Sequence, residues 1–202
     1  MLTLLSTVKT RLALTVTDYD GILTNAIKAV SDRFDKETNR TLARTTAATH
    51  EFEADETEVS PPCYPIESVT KFETKSNETD GWIEQTGVQY LIRRQCAISL
   101  SSSLSTINSQ PSTCRVTYTG GYVLPGDPDP DYQPSTINQP PIRLPDDLEQ
   151  AAVEQVAYWF RNRDSTGLLR IWPHDGTYEA FLQSDLLLEV KAVLKKYERW
   201  AL

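Results

Sequence analysis

The chain changes hydrophobic period twice. Near its start Leu4, Leu5, Val8 and Leu12 fall at spacings of three and four, which predicts a short helix ending near Leu14 with Thr3 as its N-cap. A second stripe, Ile22, Leu23, Ala26, Ile27, Val30 and Phe34, predicts a longer helix from Tyr19 to Glu37. Asp18 is placed to cap it, and Asp20 sits in a first turn where the helix dipole favours an acid. Beyond residue 45 the period becomes two. Runs at 49–54, 67–74, 88–93, 96–100 and 114–120 alternate, are rich in β-branched and aromatic residues, and are separated by turn residues. They predict a small antiparallel sheet of four to six strands. Residues 126–147 hold six of the twelve prolines and predict an extended connection, because proline removes a backbone donor and disfavours helix before it. Helical period then returns. Leu148, Ala152, Val156, Trp159 and Phe160 mark one buried face of a helix that opens at Pro145, is capped by Asp146 or Asp147, and stops near Asp164. After a loop over 165–183, Ser184 is placed to cap a last helix. Its stripe is Leu187, Val190, Val193, Leu194, Tyr197 and Trp200, and it is expected to run almost to the end of the chain.

The fold class expected is therefore α+β: about four helices from both chain ends forming a bundle, with a small antiparallel β-sheet inserted between helices two and three. The expected divisions are 1–45 for the N-terminal helices, 46–124 for the β region, 125–145 for the Pro/Asp-rich loop and 146–202 for the C-terminal helices.

Charge narrows the function. The chain has 202 residues and a net charge of −8, which argues against a dominant basic nucleic-acid surface. Lys191, Lys195, Lys196 and Arg199 are diluted by Glu189 and Glu198, so the last helix is a poor DNA-reading element. No apolar run reaches membrane-spanning length. The first residues lack the charge-then-apolar order of a signal peptide. Cys63, Cys96 and Cys114 are scattered and odd in number, which fits reduced thiols in a cytosolic setting.

Candidate chemistry is sparse. There is no phosphate loop, no GxSxG elbow and no HExxH. His50 lies in an alternating run and His174 in a turn, and neither has a partnering nucleophile or a ligand at metal spacing. Asp127, Asp129 and Asp131 start like a calcium loop. The twelfth position, which should hold Glu, is Asn138, and no Gly stands at the sixth. Tyr158, Trp159 and Phe160 at helical spacing suit a core or an interface better than a ligand box. No catalytic residue, metal or cofactor is expected. An enzyme built on paired carboxylates is a remote alternative, since 28 acids offer no preferred pair.

The order of the pieces carries more. Val116, Tyr118, Gly121 and Tyr122 close the last strand. Pro145, Asp147, Leu148 and Ala151 open the next helix, and Trp159, Phe160 and Arg163 end it. This sequence of motifs, with the N-terminal pattern TVKTRLAL–TVTDYDGILTNAIKAVSDRFDKETNR, resembles the head–tail connector, or adaptor, proteins of long-tailed bacteriophages and prophages, over nearly the whole chain. The resemblance implies a structural virion protein of the neck, assembled in the host cytoplasm. It implies a ring, commonly of twelve subunits, beneath the portal protein, extending the DNA channel and docking the next neck or tail protein. The expected partners are the portal, neighbouring copies, a downstream head-completion or tail protein, and genomic DNA passing without sequence-specific binding, with no membrane. It further implies a C-terminal segment, about 184–202, that meets the portal. Leu188, Val193, Tyr197, Arg199, Trp200 and Leu202 are the candidate contacts. A head-closure (stopper) or tail-completion protein is the structural alternative.

Overall fold

The computed structural model describes residues 1–77, 79, 81–104, 113–128, 139–165 and 186–199. The chain forms two compact units. One comprises Met1–Thr38 with Leu144–Glu198, the other Asn39–Arg143 with Arg199–Leu202.

The first unit is helical. It contains α1 (Leu5–Leu12), α2 (Asp20–Thr38), α3 (Asp146–Arg161), a short 3-10 turn (Arg163–Ser165) and α4 (Leu188–Leu194). Helix α3 contacts each of the other three. Its composition allows this. Leu148, Ala151, Ala152, Val153, Gln155, Val156, Ala157 and Phe160 are all buried, so apolar positions extend well beyond one stripe, and three alanines let neighbouring backbones come close. Helix α2 buries the predicted stripe of Leu23, Ile27, Val30 and Phe34. It ends where Thr38 turns its hydroxyl back to the Phe34 carbonyl and Asn39 takes a left-handed φ of 51°, a common helix stop.

The caps differ from those the sequence predicts. Helix α1 starts from Leu4 with no side-chain cap. Thr3 is buried and donates its hydroxyl to Glu149 of α3, so a tertiary bond has taken the group a cap would use. Pro145, not an aspartate, is the N-cap of α3, and Asp146, Asp147 and Glu149 lie inside its first turn, where the dipole stabilises them. The last helix is much shorter than expected. Helix α4 has 7 residues, and the amides of Lys196 and Tyr197 bond to carbonyls three residues back, which tightens and closes the turn. Ser184, its expected cap, lies outside the described residues.

The second unit is β. Its strands are β1 (Thr45–Glu53), β2 (Glu58–Val59), β3 (Ile66–Lys75), β4 (Ile83–Gln85), β5 (Tyr90–Arg93), β6 (Ala97–Leu100), β7 (Thr113–Gly120), β8 (Tyr122–Val123) and β9 (Ile142–Arg143). The single antiparallel sheet expected from sequence is instead three sheets. They are a four-stranded one in order β1-β7-β3-β4, a three-stranded one in order β2-β6-β5, and the pair β8-β9, which is parallel. The two larger sheets share one core. Phe52, Phe72, Cys114, Val116 and Tyr118 come from the first, and Val59, Ile98 and Leu100 from the second. Alternation supplies the inward sets, and the division into two sheets places an apolar face on each side of that core.

The unit is closed at a corner made by the end of β7. Tyr118 is fully buried, and its phenol oxygen accepts the Cys63 N–H at 3.1 Å. Two glycines follow. A Cβ on Gly120 would lie 2.4 Å from the Cys63 carbonyl oxygen, and one on Gly121, whose φ is +97°, would lie 2.5 Å from that of Ala43. The Gly121 amide bonds to the Pro65 carbonyl, and that of Tyr122 to Leu42. Arg40 lies beneath, its guanidinium 3.5 Å from the Tyr64 ring centroid and 5.2 Å from that of Tyr122, while it donates to the Tyr64 carbonyl. The V-x-Y-x-x-G-Y pattern is therefore a packing device. Gly121→Ala must force a side chain into a backbone oxygen at a left-handed φ. It is expected to destabilise the protein by roughly 3 kcal/mol, read as a lower urea midpoint. Gly21→Ala in α2, where a new Cβ meets nothing within 4 Å, is expected to stabilise by about 0.5–1 kcal/mol.

Candidate assembly surfaces

The C-terminal element holds most of the residues expected to contact a partner, and the structure separates their roles. Gln155 is fully buried in α3 and accepts the Leu187 N–H at 2.9 Å, satisfying an amide at the entry to α4. Val190 and Leu194 of α4 are buried, and Val193 is half-buried. Tyr197 donates its hydroxyl to Asp147 at 2.6 Å, with the Lys196 ammonium 3.6 Å from the same carboxylate. Val190, Leu194 and Tyr197 thus hold the segment in place. Leu188 is different: it is 80 % exposed. Within the β unit, Arg199 donates through Nε at 3.1 Å and Nη2 at 2.5 Å to the Ser60 carbonyl. Trp200 and Leu202 lie outside the described residues.

A second surface was not singled out by the sequence reading. Between β1 and β2 the chain reads EFEADETE, residues 51–58. Glu51, Glu53, Asp55, Glu56 and Glu58 are all exposed, while Phe52 and Ala54 are buried between them. The corner is held by the Glu56 amide on the Glu53 carbonyl and the Leu100 amide on the Thr57 carbonyl at 2.7 Å. The signal is a local excess of acid, five carboxylates within eight residues.

The outer face of the four-stranded sheet carries a charge ladder. The register sets Glu51 beside Arg115 and Arg115 beside Glu73. Glu73 is 6 % exposed. It accepts from Lys71 at 2.8 Å and from both Nε and Nη2 of Arg115, at 3.0 and 2.8 Å. Arg115 also stacks 4.2 Å from the Trp82 ring centroid. Burial pushes the Glu73 carboxyl up, but the Lys71 and Arg115 hydrogen bonds and charges outweigh it, and the net value is lowered. Arg44 and Glu67 form a bidentate pair, at 2.7 and 2.8 Å.

Burial, then Arg199, holds the His50 imidazole below its ordinary value, against weaker pulls from Glu56 and Glu51. Burial pushes the Cys114 thiol up to about 11, which makes it a poor nucleophile at neutral pH. Among the described residues no group of three His, Cys, Asp or Glu is placed to hold a metal, and no helix is long and apolar enough to cross a membrane. His174, Asp129 and Asp131 lie outside the described residues.

No protein-family model matches the chain, and no curated protein matches it significantly. Solved structures do. A chain from the "Virion of native gene transfer agent (GTA) particle" matches with a TM-score of 0.56 at 14% identity, over 98% of this chain and 90% of that one. A chain from the "Neck of empty GTA particle computed with C6 symmetry" gives 0.55 at 14% identity with the same coverage. One from the "Neck of native GTA particle computed with C12 symmetry" gives 0.50 at 14% identity over 90% and 84%. At that identity the likeness is one of fold, and it spans nearly the whole chain.

The carboxylate chemistry has a measurable sign. A depressed Glu73 pKa gives stability that is complete above the ordinary carboxylate value and lost as pH falls through Glu73's own lower one. Glu73→Gln is expected to cost roughly 1–3 kcal/mol at neutral pH, and the gap to the wild type should close in acid, measured by urea unfolding across pH. Residual acid sensitivity is expected from Glu154, whose carboxyl is lowered by Arg11, and from His50, whose lowered value costs stability as pH drops below about 6.5.

Proposed function

We propose that this chain is a structural neck protein of a phage-like particle, a head–tail adaptor that forms a ring beneath the portal. The observation that carries the reading is the fold likeness to chains of a virion neck along 98% of this chain, coupled to the order of the connector motifs. The solved necks were computed with C6 and C12 symmetry, which supports a ring and favours twelve copies. In this reading residues 1–45 and 146–202 form a four-helix bundle, 46–124 are an inserted β region and 125–145 connect them. The ring extends the DNA channel, docks the next neck or tail protein, and lets DNA pass because a net charge of −8 repels phosphate rather than holding it.

The C-terminal segment is the proposed portal contact. Tyr197 anchors it on Asp147, Val193 and Arg199 contribute from the same segment, and Trp200 and Leu202 are an aromatic and an aliphatic of the kind that fill interface pockets. The mechanism is assembly alone, with no chemistry asked of any residue. One observation favours the stopper as a second reading: the β unit has two packed sheets around its own core, more β structure than a minor insertion.

Light scattering of the protein alone and mixed with its portal ring separates the two. The adaptor reading expects co-elution at about one copy per portal subunit, and loss of it when residues 199–202 are removed. A stopper would ignore the bare portal and bind only a portal already carrying another ring.

A further inference from the structure

We propose that the solvent face of α4 docks the acidic corner between β1 and β2 of a neighbouring copy of this chain. This rests on the ring reading above and goes beyond it by naming both halves of the contact between copies. Leu188, Lys191, Ala192 and Lys195 fall at i, i+3, i+4 and i+7, and all are exposed, as is Lys196. They form one helical face, with Lys191 and Lys195 along one side of Leu188 and Ala192 and the exposed Glu189 at the far edge. Leu188 is the most exposed large hydrophobic residue among those described. The opposite face is already used, by Val190 and Leu194 in the helical unit.

The occupant is fixed by charge. Residues 51–58 present Glu51, Glu53, Asp55, Glu56 and Glu58 without a single Lys or Arg between them. Either face brought against its own twin would set like charges together, which costs stability. Brought against each other they are complementary. That is a heterologous contact, one surface meeting a different one, and repeating it generates a ring when the rotation closes. The aliphatic stems of the lysines and glutamates can cover Leu188 while their heads pair. Of the six residues expected to meet the portal, Leu188 is thereby assigned to the next copy.

Two experiments on the full chain, assembled on its portal ring, test this. In a Cys96→Ser background, Leu188→Cys protein is mixed with Glu56→Cys protein and mildly oxidised. The expected product is a disulfide dimer holding one chain of each kind, absent when either variant is oxidised alone. Separately, Lys191→Glu/Lys195→Glu and Glu53→Lys/Glu56→Lys are each expected to raise the concentration for half-assembly about tenfold or more in low salt. Neither reversal assembles well alone, but mixing the two restores a ring of alternating copies, and combining all four substitutions in one chain restores one as well. Rings that form normally with either reversal and give no mixed disulfide would overturn the contact and leave the adaptor reading standing. A link formed inside one chain carrying both cysteines at high dilution overturns it too, by making the contact internal. Wild-type protein that never joins the portal overturns the adaptor reading, and the contact falls with it. Circular dichroism on every variant checks that the surface changes leave the fold intact.

Discussion

The β unit depends on how closely three stretches of backbone approach at the end of β7. Gly120 abuts the Cys63 carbonyl and Gly121 that of Ala43 at distances no Cβ could share. Once those contacts are made, much else is determined. The Gly121 and Tyr122 amides find their acceptors on Pro65 and Leu42. Gly120 pairs with Thr45 of β1 and Ile66 of β3, the ladder shifts register just beyond on both sides, and Tyr118 is fully inside. The buried Arg40 adds a cation against two tyrosine rings, an attraction that strengthens where water is excluded. Two small residues and two tyrosines in fixed order are what this geometry requires. A motif that resembles a family signature thus has a local mechanical cause.

Charge inside the β unit plays a different part. Glu67 and Glu73 are nearly buried, each against an arginine fork. Removing carboxylates from water costs several kcal/mol each, and the pairing returns much of it only when the geometry is good. Such pairs add little net stability, but they penalise wrong registers. A slip of one residue between β3 and β7 would turn Arg115 away from Glu73 and carry Val116 out of the core. The ladder and the apolar face therefore select the same alignment.

These features explain which parts of the fold were legible from sequence. Helices α2 and α3 were, because their apolar positions repeat at helical spacing over sixteen residues or more. The alternating runs for β1, β3, β5, β6 and β7 were, because one face of each meets a core. The partition into sheets was not: alternation says that a strand has an inner face and is silent on which strands pair. The parallel pair β8-β9 was not, since two residues carry no period. Helix α4 was overextended because its stripe continues through Tyr197, while hydrogen bonds to i−3 end the helix first. Thr3 was read as a cap because local chemistry favours that, and a bond to Glu149 across 146 positions is invisible to a local reading. At the candidate surface, the sequence marked Leu188, Val193, Tyr197 and Arg199 together. Only their burial and partners separate an anchor from an open contact.

That separation bears on how an assembly surface is displayed at all. A helix of 7 residues is far below the length that is stable alone in water. Helix α4 exists because α3 supplies its shape. Gln155 takes the Leu187 amide, Asp147 takes the Tyr197 hydroxyl, and Val190 and Leu194 are buried. Its outer face has no contact that could order it independently. The lysines and Leu188 are therefore presented in a fixed pattern only by a chain whose helical unit has already folded. An unfolded chain offers the same residues without the spacing that makes them one surface. For a protein proposed to act by assembly alone, this coupling ties recognition between copies to completed folding, through two side chains of α3 that touch no partner.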